Sequence, residues 1–157
     1  MKPGTFTQLY VQIVFAVYQR ECLLHKNQRD ELFRYISGII ENKKCKNIIT
    51  NGFSDHVHMF VGLNPVVSIS DLVHDIKVSS STFVNNQKWF RGTFRWQDGY
   101  GAFTYGKSQI DAVYHYILDQ EKHHQKRPFR EEYLEMLNKF DIKYDDRYLF
   151  EFYENKG

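Results

Sequence analysis

The chain reads as an α+β protein, an antiparallel ferredoxin-like sheet with helices packed on it, and three observations predict this. Short apolar segments bounded by turn residues recur along the sequence, several of them alternating with the period of a strand. Between them lie longer stretches whose apolar residues return at helical spacing. The order is strand, helix, strand, strand, helix, strand, helix, and hairpin-joined strands interleaved with helices favour the split βαβ plan.

Thr5 to Tyr18 reads as a long first strand, with Thr7, Leu9, Val11, Ile13, Phe15 and Val17 on one side and Gln8, Tyr10 and Gln12 on the other. His25 to Asn42 carries Leu32, Phe33, Ile36, Ile39 and Ile40 at helical spacing, so it is the first helix. Cys45–Asn51 is a short strand, and Gly52, Ser54 and Asp55 mark the turn into the next, Val57 to Leu63, which Asn64-Pro65 closes. Ser68 or Ser70 caps a second helix running to about Asn86. The aromatic, glycine-punctuated stretch from Phe90 to Tyr105 suggests one or two strands around Gly99 and Gly101. Ser108 then caps a third helix from Gln109 to about Lys126, stopped by Pro128, and a further helix runs from Phe129 to Phe140. Residues 1–157 read as a single domain with no repeat, linker or low-complexity segment.

Composition excludes several classes. Of 157 residues, 42% are hydrophobic and 25% charged, which is ordinary for a globular chain able to bury a core. Two cysteines in unrelated contexts do not make a disulfide scaffold and fit a reducing cytoplasm. No apolar run approaches the roughly 20 residues needed to span a bilayer, and the N-terminus lacks a signal-peptide core, so a cytoplasmic protein without membrane contact is expected. The net charge of +2 conceals an asymmetry. Lys77 to Ser108 carries five bases, Lys77, Lys88, Arg91, Arg95 and Lys107, against Asp98 alone, whereas Pro128 onward has eight acids against five bases. Of the bases, Lys77, Lys88, Arg91 and Arg95 are electrostatic candidates for meeting phosphates. The 13 Phe, 11 Tyr and 2 Trp can fill a core, a dimer interface or a platform for stacked bases.

Two stretches carry chemistry. In Asp55-His56-Val57-His58-Met59 the histidines project from one face of a strand while Val57 and Met59 point to the other, which makes half of a metal site. Phe60 and Gly62 share the histidine face, so the imidazoles are expected on a partly open surface of a central strand. In Tyr114-His115-Tyr116-Ile117-Leu118-Asp119-Gln120 the residues Tyr116 and Gln120 are four apart, about 40° from each other around a helix, at the edge of an apolar stripe formed by Ile110, Val113, Tyr114 and Ile117. His123 and His124 lie on the same side and are read as surface or structural residues, with contact to DNA or to the ion as the other reading. Gly99 and Gly101 lack a following Gly-Lys-Ser/Thr pattern and read as a turn, not a phosphate loop.

A strand with His-hydrophobe-His followed by a helix with Tyr-x-x-x-Gln resembles the single-tyrosine HUH transposases of bacterial insertion sequences, over nearly the whole chain. The resemblance implies a DNA transposase that cuts and rejoins single-stranded DNA at hairpin-marked ends. It implies Tyr116 as nucleophile, forming a 5′-phosphotyrosine. His56, His58 and Gln120 would hold one divalent ion, Mg²⁺ or Mn²⁺, through two nitrogens and an amide oxygen. It further implies a homodimer, with the tyrosine serving its own subunit's histidines or its partner's. Two other readings use the same residues: a metal-dependent phosphodiester hydrolase without a covalent intermediate, and a non-catalytic nucleic-acid binding module.

Overall fold

A computed structural model describes residues 3–153. The sheet has four strands, β1 (Tyr10–Ala16), β2 (Lys46–Phe53), β3 (His56–Gly62) and β4 (Gly101–Tyr105), in the order β2-β3-β1-β4, every neighbouring pair antiparallel. Helix α1 (Lys26–Asn42) joins β1 to β2 and α2 (Ile69–Gln87) joins β3 to β4, which completes the ferredoxin-like βαββαβ plan. Three further helices follow, α3 (Ile110–Leu118), α4 (Gln120–Lys126) and α5 (Phe129–Lys139).

The two faces of the sheet are covered differently. Ile13, Phe15, Val57, Met59 and Val61 point to one face, where Leu32, Phe33 and Ile36 of α1 and Leu72 and Ile76 of α2 bury them in a continuous apolar core. Gln12, His56, His58 and Phe60 point to the other, under α3, α4 and α5. Ser68 caps α2 by accepting a hydrogen bond from the Asp71 N–H at 3.1 Å, and α1 begins where the Gln28 Oε1 accepts the His25 N–H at 3.0 Å. Cys22 and Cys45 are buried free thiols.

Several expectations are corrected. The first strand is confined to Tyr10–Ala16, because residues 5–9 have no partner in the sheet, although Leu63 still donates its N–H to Leu9 O at 2.7 Å. The aromatic stretch does hold one of the one or two strands expected there, β4, and is otherwise irregular apart from a bridge between Val17 and Trp96. Ser108 does not cap the third helix; it lies in a 3₁₀ turn, Lys107–Gln109, that leads into it. The third helix is broken at Asp119. There the Asn51 amide of β2 donates to the carbonyls of Ile117 and Leu118, at 3.0 and 3.1 Å, satisfying acceptors that a continuous helix would have used. Finally, the histidine pair is not on an open surface: both imidazoles are fully buried beneath α4 and α5.

Candidate metal and nucleophile site

The β2–β3 hairpin delivers the first ligand. Gly52 is required where a Cβ would lie 2.2 Å from the His56 carbonyl oxygen, so only glycine lets the strands close at that point. His56 and His58 then stand on the same face with ring centroids 5.0 Å apart and planes at 81°. Each is oriented from behind through Nδ1. For His56 the partner is Asp55 Oδ1 at 2.7 Å, and for His58 it is Gln12 Nε2 at 2.9 Å, with Tyr105 donating in turn to Gln12 Oε1 at 2.9 Å. With Nδ1 engaged, both Nε2 atoms point inward to one centre. Phe129 stacks on His56 at 3.9 Å and 3°, closing the site from the α5 side.

Helices α3 to α5 supply the rest. Gln120, wholly buried at the start of α4, places Oε1 3.0 Å from both His56 Nε2 and His124 Nε2. Glu132 of α5 lies at the centre. Its Oε1 is 2.9 Å from His58 Nε2, 3.2 Å from His124 Nε2 and 3.4 Å from His56 Nε2. Its Oε2 accepts from Gln120 Nε2 at 3.0 Å and from the Tyr116 hydroxyl. One carboxylate therefore touches the histidines with one oxygen and the tyrosine with the other.

Electrostatics follow from this crowding. Burial opposes a charge on His56, but Asp55 and Glu132 outweigh it and push its pKa up to about 10. His58, equally buried but without a carboxylate behind it, is held below the ordinary histidine value. Burial would raise the Glu132 pKa, yet three imidazoles around it keep it far below the usual carboxylate range. Burial and then the Glu132 charge raise the Tyr116 phenol above its ordinary value, so without a cation it stays protonated.

The donor set fits a divalent ion. His56, His58 and Glu132 offer two imidazole nitrogens and a carboxylate oxygen, all within 4.8 Å of one another and buried. The predicted Gln120 oxygen is in the same cluster. Glu132 was not foreseen as a site residue. Its signal was an acid inside the apolar stripe Phe129, Tyr133, Met136 and Leu137, a position where an unpaired carboxylate would be costly. His124 also enters the site, whereas His123 stacks on the Tyr116 ring at 5.0 Å.

The predicted basic residues lie apart from this cluster. The Lys77 ammonium donates to the carbonyls of Gln97 and Gly99, each at 2.8 Å, tying α2 to the loop before β4. Arg95 stacks over Tyr18 at 4.2 Å, Lys88 ends α2 in the left-handed region at φ 57°, and Arg91 follows in the next loop.

The model of a known family, described as IS200-like transposase, matches residues 5–120, most of the chain and every residue named above as far as Gln120. The chain belongs to this family. It is a transposase, with the strand-cutting activity of that enzyme class. Among solved structures, one described as a transposase from Deinococcus radiodurans R1 shares 20% identity at a TM-score of 0.60, over 76% of this chain and 96% of that one. A REP-associated tyrosine transposase bound to a REP hairpin shares 13% identity at a TM-score of 0.58, over 79% of this chain and 74% of that one. At such identities the likeness is one of fold. No curated protein matches the chain. Among the described residues no helix is long and apolar enough to cross a membrane.

Proposed function

We propose that this transposase cuts and rejoins single-stranded DNA through a covalent 5′-phosphotyrosine on Tyr116, assisted by one divalent ion, Mg²⁺ or Mn²⁺, held by His56, His58 and Glu132 with the Gln120 oxygen beside them. The observation that carries the reading is the Glu132 carboxylate, which contacts both histidines and the Tyr116 hydroxyl. The ion, when bound, supplies positive charge that polarises a phosphate and makes a phenolate less costly.

The remaining steps belong to the chain's own groups. Asp55 accepts the His56 Nδ1–H and so leaves Nε2 free for an ion, while Gln12 fixes the His58 ring and would free its Nε2 in the same way by turning its amide oxygen to Nδ1. Tyr116 Oη forms its bond to phosphorus as the phenolic proton leaves along the hydrogen bond to Glu132 Oε2, which relays it to water because this carboxylate is held far below its usual range. The bond from phosphorus to the 3′ oxygen breaks, and that oxygen leaves as a 3′-hydroxyl by taking a proton from water, which replaces the one given up by Tyr116. Because the phosphodiester is exchanged for a phosphotyrosine ester, a second 3′-hydroxyl can reverse the step without ATP.

Two finer points extend the proposal. The substrate is DNA whose ends form hairpins, a reading supported by the fold shared with the hairpin-bound neighbour, with Lys88, Arg91 and Arg95 as phosphate contacts and Lys77 the least free to serve. The working unit is a homodimer in the cytoplasm; light scattering should give about twice the chain mass. The decisive experiment incubates the protein with Mn²⁺ and single strands copied from the DNA flanking its gene. A denaturant-resistant adduct is expected and should vanish in Tyr116→Phe. Strand cutting that persists in Tyr116→Phe without any adduct would instead identify a hydrolase.

A further inference from the structure

The Tyr116 side chain is half-buried: His123 covers one side of its ring and the hydroxyl turns inward to Glu132. It also borders a cleft of about 290 Å³ between α3 and α5, at the lower end of the size of small-ligand pockets. That volume suits one nucleotide and excludes a duplex. Ala112 of α3 and Met136 of α5 line its sides, and Tyr105 of β4 closes it from the sheet. A slot with two small or pliant apolar walls and an aromatic end favours a flat, unpaired base.

The polar groups at the cleft divide into spent and free. Arg127 is engaged by Glu135 and, at 3.6 Å, by Glu131. Lys139, in contrast, has no ion pair among the described residues. Gln109 uses Oε1 to accept the Gly106 N–H at 3.1 Å, and its amide N–H groups make no hydrogen bond among the described residues. A cation without a carboxylate partner, its ammonium 6.0 Å from the Phe140 ring, and an unbonded amide donor thus stand beside an apolar slot that ends at the nucleophile.

We infer that this cleft seats one unpaired nucleotide, the one whose 5′-phosphate becomes joined to Tyr116. Its base enters the slot between Ala112 and Met136, and its 3′-phosphate faces Lys139. The inference rests on the proposed role of Tyr116 and adds a consequence: the enzyme grips the base on the 3′ side of the cut through protein contacts, and it needs that base unpaired.

The test maps the cut from wild-type adducts formed with Mn²⁺ on single strands flanking the gene, then remakes that strand with an abasic residue directly 3′ of the cut. Loss of the base should slow adduct formation by the wild type about tenfold, the lower end of what one stacked base is worth. Ala112 is exposed on α3 and bonded to nothing in the site, so Ala112→Trp fills the slot from a tolerant position. It should slow adduct formation on intact DNA by a similar factor and show little further loss on abasic DNA. Lys139→Gln should weaken DNA binding most at low salt and keep the dependence on the base. An abasic strand cut by the wild type as fast as the intact one overturns the inference, whichever variants fold. So does multiplication of the Ala112→Trp and abasic losses. Absence of any wild-type adduct is a different failure; it removes the Tyr116 reading, and this inference with it.

Discussion

The two faces of the sheet share their strands but differ in what they bury: only the face under α3 to α5 adds polar groups to its apolar ones. Beneath α1 and α2 the buried side chains are Ile13, Phe15, Met59, Leu32, Leu72 and Ile76, which need only shape and water exclusion. Beneath α3 to α5 the same strands bury Gln12, His56 and His58, with Gln120 and Glu132 coming down from the helices. Among the described residues no buried side-chain nitrogen or oxygen lacks a hydrogen-bond partner, so the polar face is closed by reciprocal bonding. Strand alternation makes this division possible, since neighbouring residues such as Val57 and His58 serve different faces. One face supplies stability, and the other holds chemistry on the rigid frame so provided.

The sharpest way to break this comparison is to remove a ligand. His58→Ala should weaken Mn²⁺ binding by at least about a hundredfold, the upper range for losing even an outer partner of a metal ligand, and should abolish strand cutting. Binding of single-stranded DNA should remain, because the ion acts on the phosphate and the opposite core is untouched. Calorimetry with Mn²⁺ and an electrophoretic shift assay separate the two; joint loss of metal and DNA binding in a folded variant would refute the division.

The reverse experiment is Ile76→Ala. It removes a fully buried side chain from the apolar face and should cost about 2–5 kcal/mol of stability by denaturant titration. Mn²⁺ affinity per folded molecule should be unchanged. A large drop in affinity would mean that the faces are mechanically coupled.

Legibility in the sequence follows the same line between local and long-range order. His56 and His58 were readable because a strand's period fixes their common face from two residues of spacing. Tyr116 and Gln120 were picked out by a four-residue helical spacing, yet they stand on two helices either side of the break at Asp119 and meet through Glu132. What strand alternation cannot state is what covers a face, so the burial of the histidines under Phe129 and Glu132 was missed. The break at Asp119 was likewise hidden, since its cause is Asn51, far away in the chain. Glu132 had a local trace, an acid in an apolar helical stripe, but its meaning depends on where α5 crosses the sheet. Lys77 misled because a basic residue in a basic stretch looks solvent-facing, while here its ammonium is held by two carbonyls.

Gly101 tests the seam between chemistry and packing. It lies on the polar face of β4, where an added Cβ would stand 2.8 Å from the Tyr133 hydroxyl of α5. Gly101→Ala should therefore push α5 outward at a cost of about 1–3 kcal/mol. Because α5 also carries Glu132, Mn²⁺ affinity should fall several-fold, unlike in Ile76→Ala. Thermal unfolding read beside calorimetry decides it: stability lost with affinity intact would show that Glu132 is positioned independently of Tyr133.

The finest test is a proton count. In the metal-free protein the His56 pKa, raised to about 10, keeps this imidazole charged at pH 7.5, while His58 is already neutral. A metal ligand must be deprotonated, so Mn²⁺ binding at pH 7.5 should release about one proton, and affinity should rise about tenfold per pH unit between roughly 6.5 and 10. The sign for stability is opposite. A raised folded-state pKa gives stability that is complete below the ordinary value near 6.5 and is lost as pH rises towards 10, so the metal-free protein should weaken across the window in which the metal-bound form gains. Calorimetry in PIPES and in Tris, whose ionisation enthalpies differ, gives the proton count. Asp55→Asn removes the carboxylate behind His56 and should reduce proton release at pH 8, whereas Ile76→Ala, on the other face, should leave it unchanged. Equal heats in the two buffers would mean that His56 meets the ion already neutral, and that the polar face is less charged than its carboxylates imply.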